Sequence, residues 1–94
     1  MAVTVYIPSA LRVECGGRRK VSVPVPAGFT LSQVLDEVCG EHPRFERRVR
    51  DERGRLRRYV NVFVDADECR TLSGLDTVVR DGADVYILPS VAGG

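Results

Sequence analysis

The chain has almost none of the residues from which catalytic or metal centres are built. Its 94 residues include one histidine, His42, and three cysteines, Cys15, Cys39 and Cys69. A single imidazole among scattered acids supplies neither a four-ligand metal set nor a nucleophilic triad. The cysteines are odd in number, widely spaced and without a C-x-x-C pair, which argues against a disulfide framework and a zinc site and leaves reduced thiols as the default. Asp65-Ala66-Asp67-Glu68 lacks the D-x-[DN]-x-[DN]-G spacing of a calcium loop and reads as a solvated turn. No run approaches the roughly 18 apolar residues of a membrane span, and Met1 to Ile7 lacks the charged flank and long apolar stretch of a signal peptide. A cytoplasmic protein away from the membrane is expected. With 14 Lys and Arg against 13 Asp and Glu, the net charge of +1 gives no global drive toward nucleic acid or an anionic surface.

What is present is one small domain with clear periodicity. Val3, Val5 and Ile7 alternate with Thr4 and Tyr6 and stop at Pro8, which predicts a half-buried strand. After a turn at Gly16-Gly17, Val21, Val23 and Val25 predict a second strand, placed at a sheet edge by Pro24 and paired with the first as a hairpin with a long, irregular connection. Thr30-Leu31-Ser32-Gln33 has the form of a capping box. Leu31, Val34, Leu35, Val38 and Cys39 then recur on one face of a helix that Gly40 and Pro43 end. Cys39 is expected as a small core residue and His42 as a helix-boundary residue.

From Arg44 to Arg58 there are eight arginines and three acids, a local charge of +5 that leaves −4 for the rest of the chain. Phe45 and Val49 predict a short helix pinned to the core, with Asp51-Glu52-Arg53-Gly54 as a turn and the arginines facing water. Such a stretch reads as a solvated face, as a docking surface for an acidic protein, or as a nucleic-acid patch; the last lacks stacking aromatics apart from Phe45 and Tyr59 at its margins. Val60, Val62 and Val64 predict a secure strand whose other side carries Phe63. Leu72 to Val78 reads as a short edge segment and a loop. Asp81-Gly82 then turns into a last strand with Val85 and Ile87 on one side, Tyr86 and Leu88 on the other, and Pro89 at its end.

One main helix can cover one face of a single mixed sheet of four to five strands. The crossover rule then favours the first and last strands lying parallel at its centre. This is an α+β fold of the β-grasp (ubiquitin-like) type, with a domain over residues 1–89 and a flexible tail over residues 90–94. The tail ends in Gly93-Gly94; with 9 glycines in 94 residues, chance would place two there in about one chain in a hundred. A carboxylate flanked by residues without Cβ can thread a narrow channel and stay open to attack from either side.

The fold order and the ending Leu88-Pro89-Ser90-Val91-Ala92-Gly93-Gly94 resemble the ThiS/MoaD family of ubiquitin-like sulfur carrier proteins. Val3-Thr4-Val5 with Ile7-Pro8, Gly16-Gly17, Arg58-Tyr59-Val60-Asn61-Val62, Gly74-Leu75 and Ile87-Leu88-Pro89 are similar to its cysteine-biosynthesis branch in particular. The resemblance implies a protein cosubstrate, not an enzyme. An E1-like adenylating enzyme would use ATP and Mg to activate the Gly94 carboxylate, and sulfide or a persulfide would then displace AMP to leave a thiocarboxylate. Gly93 would give access, with Ala92 and Val91 in the channel mouth, and Leu88 would contact partners, joined by Phe63 and Tyr86. The sulfur would pass to a cysteine synthase or a natural-product sulfur-transfer enzyme such as one making thiosugars, with a metallopeptidase as a further partner. The carrier would bind no cofactor and would be a monomer alone. A ubiquitin-like modifier conjugated through Gly94, or a β-grasp nucleic-acid module using Arg44 to Arg58, are the alternative readings.

Overall fold

The five strands of the sheet are β1 (Ala2–Tyr6), β2 (Lys20–Pro24), β3 (Val60–Val64), β4 (Asp67–Glu68) and β5 (Asp84–Pro89), and the two helices are α1 (Leu31–Cys39) and α2 (Pro43–Val49). The structure, a computed structural model, describes residues 2–40 and 42–89. The expected tail over residues 90–94 lies outside them. The strands lie in the order β2-β1-β5-β3-β4. β1 and β5 run parallel at the centre, and the β1–β2, β3–β5 and β3–β4 pairs are antiparallel. This is the expected β-grasp order, with Pro24 on the edge strand, where its missing N–H costs no ladder bond.

Alternation decides which side each strand residue takes. Val3, Val5, Val60, Val62, Val85 and Ile87 are buried toward the helices. Leu31, Val34, Leu35, Val38 and Cys39 of α1 are buried against them. Each fully buried Val or Leu contributes about 1.5–3 kcal/mol. α1 starts where the sequence predicts: the Thr30 hydroxyl accepts from the Gln33 N–H, and the Gln33 side chain accepts from the Thr30 N–H at 2.9 Å. α2 begins at Pro43 with His42 as its cap residue, and buries Phe45 and Val49.

Four local expectations are corrected. The β1–β2 connection is not irregular: Ser9–Cys15 form a 3₁₀ helix that buries Leu11 and Cys15, and Gly16 and Gly17, both at positive φ, turn the chain back into β2. Asp65-Ala66-Asp67-Glu68 is not all turn. Asp65 adopts φ 55°, which shortens the connection to two residues and lets Asp67 and Glu68 pair with Val64 and Phe63 as the edge strand β4. Aspartate tolerates that conformation better than most residues. The Leu72 to Val78 stretch, expected as the edge, instead follows a 3₁₀ turn at Cys69–Thr71 and contains another at Gly74–Asp76. Finally, Arg50 does not face water. It is 5% exposed, and its Nη2 lies 2.9 Å from both Asp36 Oδ1 on α1 and Glu46 Oε1 on α2, because the C-terminal end of α2 packs beside α1.

Candidate functional site: the open face of the sheet

The helices cover one side of the sheet, and the registers of the strand pairs place a continuous row of residues across the other. Lys20 on β2 faces Tyr6 on β1, Tyr6 faces Tyr86 on β5, Tyr86 faces Phe63 on β3, and Phe63 faces Glu68 on β4. Paired residues share a face because side chains alternate along each strand. The row is apolar in its middle and charged at both edges. The Tyr6 and Tyr86 rings stack with centroids 4.6 Å apart. Tyr6 also donates its hydroxyl to Asp84 Oδ1 at 3.4 Å. Desolvation, followed by the Asp84 charge, raises the phenol above its ordinary pKa.

Leu88 follows two residues after Tyr86 on the same side and pairs with Asn61. It is 46% exposed, whereas Phe63 and Tyr86 are half-buried. The structure therefore brings Leu88, Phe63 and Tyr86 onto one face, as the sequence predicts. Tyr6 completes the group and was absent from the expectation. The signal was available, since Tyr6 alternates with the buried Val5 and Ile7 on the strand expected to neighbour the last one.

Gly94, Gly93, Ala92 and Val91 lie outside the described residues. Pro89, the last described residue, pairs with Val60 at the start of β3. The arginine-rich segment runs through α2 and on to that same end: Arg57 Nε donates to the Arg47 carbonyl, and Arg70 Nη2 donates to the Arg57 carbonyl at 2.9 Å. Asp51 organises the intervening turn, accepting from the Arg53 and Arg55 N–H groups at 2.9 and 3.0 Å. The Arg55 bond is the leading cause holding its carboxyl below the usual range.

Nothing else among the described residues competes as a reactive centre. No group of three or more His, Cys, Asp or Glu among the described residues is placed to hold a metal ion. The three thiols are free and buried. Burial pushes Cys39 up to about 12 and Cys69 up to about 11, with Glu68 adding to the second shift, so neither is a ready nucleophile. No helix among the described residues is long and apolar enough to cross a membrane.

Comparison with known proteins agrees with this geometry. The ThiS family pattern matches residues 9–94. The chain is 40% identical to the sulfur carrier protein CysO of Mycobacterium tuberculosis (strain ATCC 25618 / H37Rv) over 96 residues, covering 100% of both. The crystal structure of the Amycolatopsis orientalis BexX/CysO complex contains a chain that matches with a TM-score of 0.85 at 39% identity, over 99% of this chain and 100% of that one. Small archaeal modifier protein 1 of Haloferax volcanii is 31% identical over 81 residues, 86% of this chain and 88% of that protein.

Proposed function

The chain belongs to the ThiS family, and from that premise we propose that its Gly94 carboxylate is activated by an E1-like enzyme and converted to a thiocarboxylate that donates sulfur in biosynthesis. The chain is a sulfur carrier of the CysO, ThiS and MoaD type, a protein cosubstrate and not a catalyst. The observation that carries the reading is the 40% identity to a CysO sulfur carrier across all of both chains.

The chemistry follows from what a carboxylate lacks. Its charge repels nucleophiles and its leaving group is oxide, so it must first be activated. A Gly94 carboxylate oxygen attacks the α-phosphorus of ATP, the bond to pyrophosphate breaks, and an acyl adenylate forms with a neutral carbonyl. Hydrosulfide then attacks that carbon, AMP leaves with the bonding electrons, and loss of the S–H proton gives the thiocarboxylate. ATP and Mg belong to the activating enzyme. Gly93 leaves the carbonyl accessible, while Ala92 and Val91 occupy the channel mouth. The carrier acts in the cytoplasm, where ATP is available.

Leu88, Tyr86 and Phe63 supply the docking face for this enzyme. The face is suited to the task because it is apolar at its centre, rimmed by charge, and continuous with the strand from which the tail departs. The BexX/CysO complex shows a structural relative held by a protein partner. The sulfur acceptor here is a cysteine synthase, with a metallopeptidase releasing the product, or a natural-product sulfur-transfer enzyme.

A second reading, conjugation of Gly94 to a lysine of another protein, is favoured by the likeness to an archaeal modifier protein. Intact-mass measurement separates the two. Incubation with an activating enzyme, ATP and sulfide is expected to raise the mass by the difference between sulfur and oxygen, and deletion of Gly94 to abolish the gain. An isopeptide-linked adduct with no thiocarboxylate would replace the first reading by the second.

A further inference from the structure

β1 and β5 run parallel and β3 runs against them, so the end of β1, the end of β5, and the starts of β2 and β3 all lie at one end of the sheet. Pro89 is the last described residue there. On one side of it is a concavity of about 340 Å³ lined by Tyr6, Ile7, Arg12, Arg19 and Lys20. On the other is a basin of about 680 Å³ that includes Arg55, Arg57, Arg58, Arg70 and Tyr59 and a single carboxylate, Asp51. Seven cations thus line the two hollows against one acid.

Their charge is left largely uncompensated by the way they are held. Arg12 Nε donates to the Ile7 carbonyl at 3.1 Å, Arg57 to the Arg47 carbonyl and Arg70 to the Arg57 carbonyl. Carbonyl partners fix a guanidinium without cancelling its charge. Only Arg70 also meets a carboxylate, Glu68 at 3.3 Å. Arg19, Lys20, Arg55 and Arg58 are exposed and form no ion pair among the described residues. The far end of the sheet has the opposite sign. Asp65, Asp67, Asp81 and Asp84 gather where β1 and β5 begin and β3 ends, with Arg80 paired to Asp65 at 3.2 Å. A net charge of +1 conceals a molecule polarised along its strands.

We infer that the two cationic hollows form one collar around the departure of the tail, and that the collar receives an acidic rim around the channel of the enzyme that takes the tail. This inference rests on the proposed tail chemistry. The collar continues the apolar docking face through Tyr6, which lines one hollow and stacks on Tyr86. A protein surface with an apolar centre and acidic edges matches both at once. A field of this kind turns the carrier tail-first during approach, acting on the association rate more than on the final affinity.

The test uses the full chain with the variant R19E/K20E/R58E, three exposed positions whose reversal leaves the core intact; circular dichroism and thermal melting verify the fold. Thiocarboxylate formation by the activating enzyme is followed by intact mass at limiting and saturating carrier. The expected result is a fall in kcat/KM of about 10-fold or more at low salt, with kcat retained and the wild-type salt dependence flattened. A variant as fast as the wild type at low salt overturns the collar while leaving the sulfur-carrier reading standing. Should the wild type gain no mass, that reading fails, and NMR titration with a deca-glutamate peptide still tests the collar. Shifts centred on Arg19, Lys20, Arg57, Arg58 and Arg70 support it, and their absence overturns it. Tighter binding of a deca-uridylate than of deca-glutamate at the same residues also overturns it, by assigning the surface to nucleic acid.

Discussion

Tyr6 and Tyr86 stack with their ring planes 8° from parallel, across the strand pair β1–β5. The contact sits on the open face, opposite the helices, and joins the first strand to the last. It therefore belongs both to the fold, which it helps to hold in register, and to the surface from which the tail departs. Leu88, two residues further along β5, has no such double role, because 46% of it is exposed.

That difference separates stability from docking. Replacing Tyr6 with Ala removes the stack and its buried area and is expected to lower stability by about 1–2 kcal/mol. Leu88→Ala is expected to leave stability within about 0.5 kcal/mol, yet to weaken binding to the activating enzyme by about 10-fold, or about 1.4 kcal/mol. Thermal unfolding and an affinity titration on the two variants check this. Equal binding by Leu88→Ala and the wild type would remove Leu88 from the interface.

Much of the fold was legible in the sequence because single rules governed it. The alternation of Val3, Val5 and Ile7, and of Val60, Val62 and Val64, has only one side to bury, and the Thr30–Gln33 box marks a helix start with two reciprocal bonds. The edge strand was misplaced for a different reason. Whether Asp67 and Glu68 pair with β3 depends on Asp65 taking positive φ, a choice that two residues of composition do not announce. Arg50 was misread because a periodic pattern assigns arginine to the surface, while its burial follows from the packing of α2 beside α1. On the open face of the sheet, Phe63, Tyr86 and Leu88 were visible in the strand alternation. Tyr6 joins them only through the parallel pairing of strands at opposite ends of the chain.

Arg50 makes a prediction about that packing. Burial opposes its charge, and the Asp36 hydrogen bond, reinforced by nearby negative groups including Glu46, outweighs that cost, so its pKa sits above the usual arginine value. Both carboxylates remain solvated, at 62% and 44% exposure. Nε has no hydrogen-bond partner among the described residues. Arg50→Ala loses the charged bonds and the packed stem and is expected to destabilise by about 2–3 kcal/mol. Arg50→Met keeps the stem, removes the unpartnered buried Nε and leaves two acids free to hydrate, so its cost is expected to be smaller. Urea denaturation of the two variants gives the order, and a Met variant no more stable than the Ala variant would show that the packed stem contributes nothing to stability at this position.

The buried thiols predict a one-sided alkaline response. Cys39 is raised from an ordinary value of 9.0 to about 12, chiefly by burial, and Cys69 to about 11. In the unfolded chain both thiols ionise near pH 9, whereas in the folded chain they stay protonated. Between those values the folded state binds more protons than the unfolded one, so stability falls as pH rises. Their contribution is fully present below about pH 9 and is lost progressively up to about pH 12 for Cys39, at a slope of at most about 1.4 kcal/mol per pH unit for each thiol. Replacing Cys39 with Ala is expected to flatten that slope at some cost in stability at neutral pH, because a buried side chain is shortened. The same burial makes the native thiols slow to alkylate at pH 8, and iodoacetamide is expected to label Cys39 and Cys69 only after denaturant is added. Rapid native labelling of Cys39 would show that α1 opens far more often than its capped and buried geometry implies, and the alkaline loss of stability would then start from a different folded state.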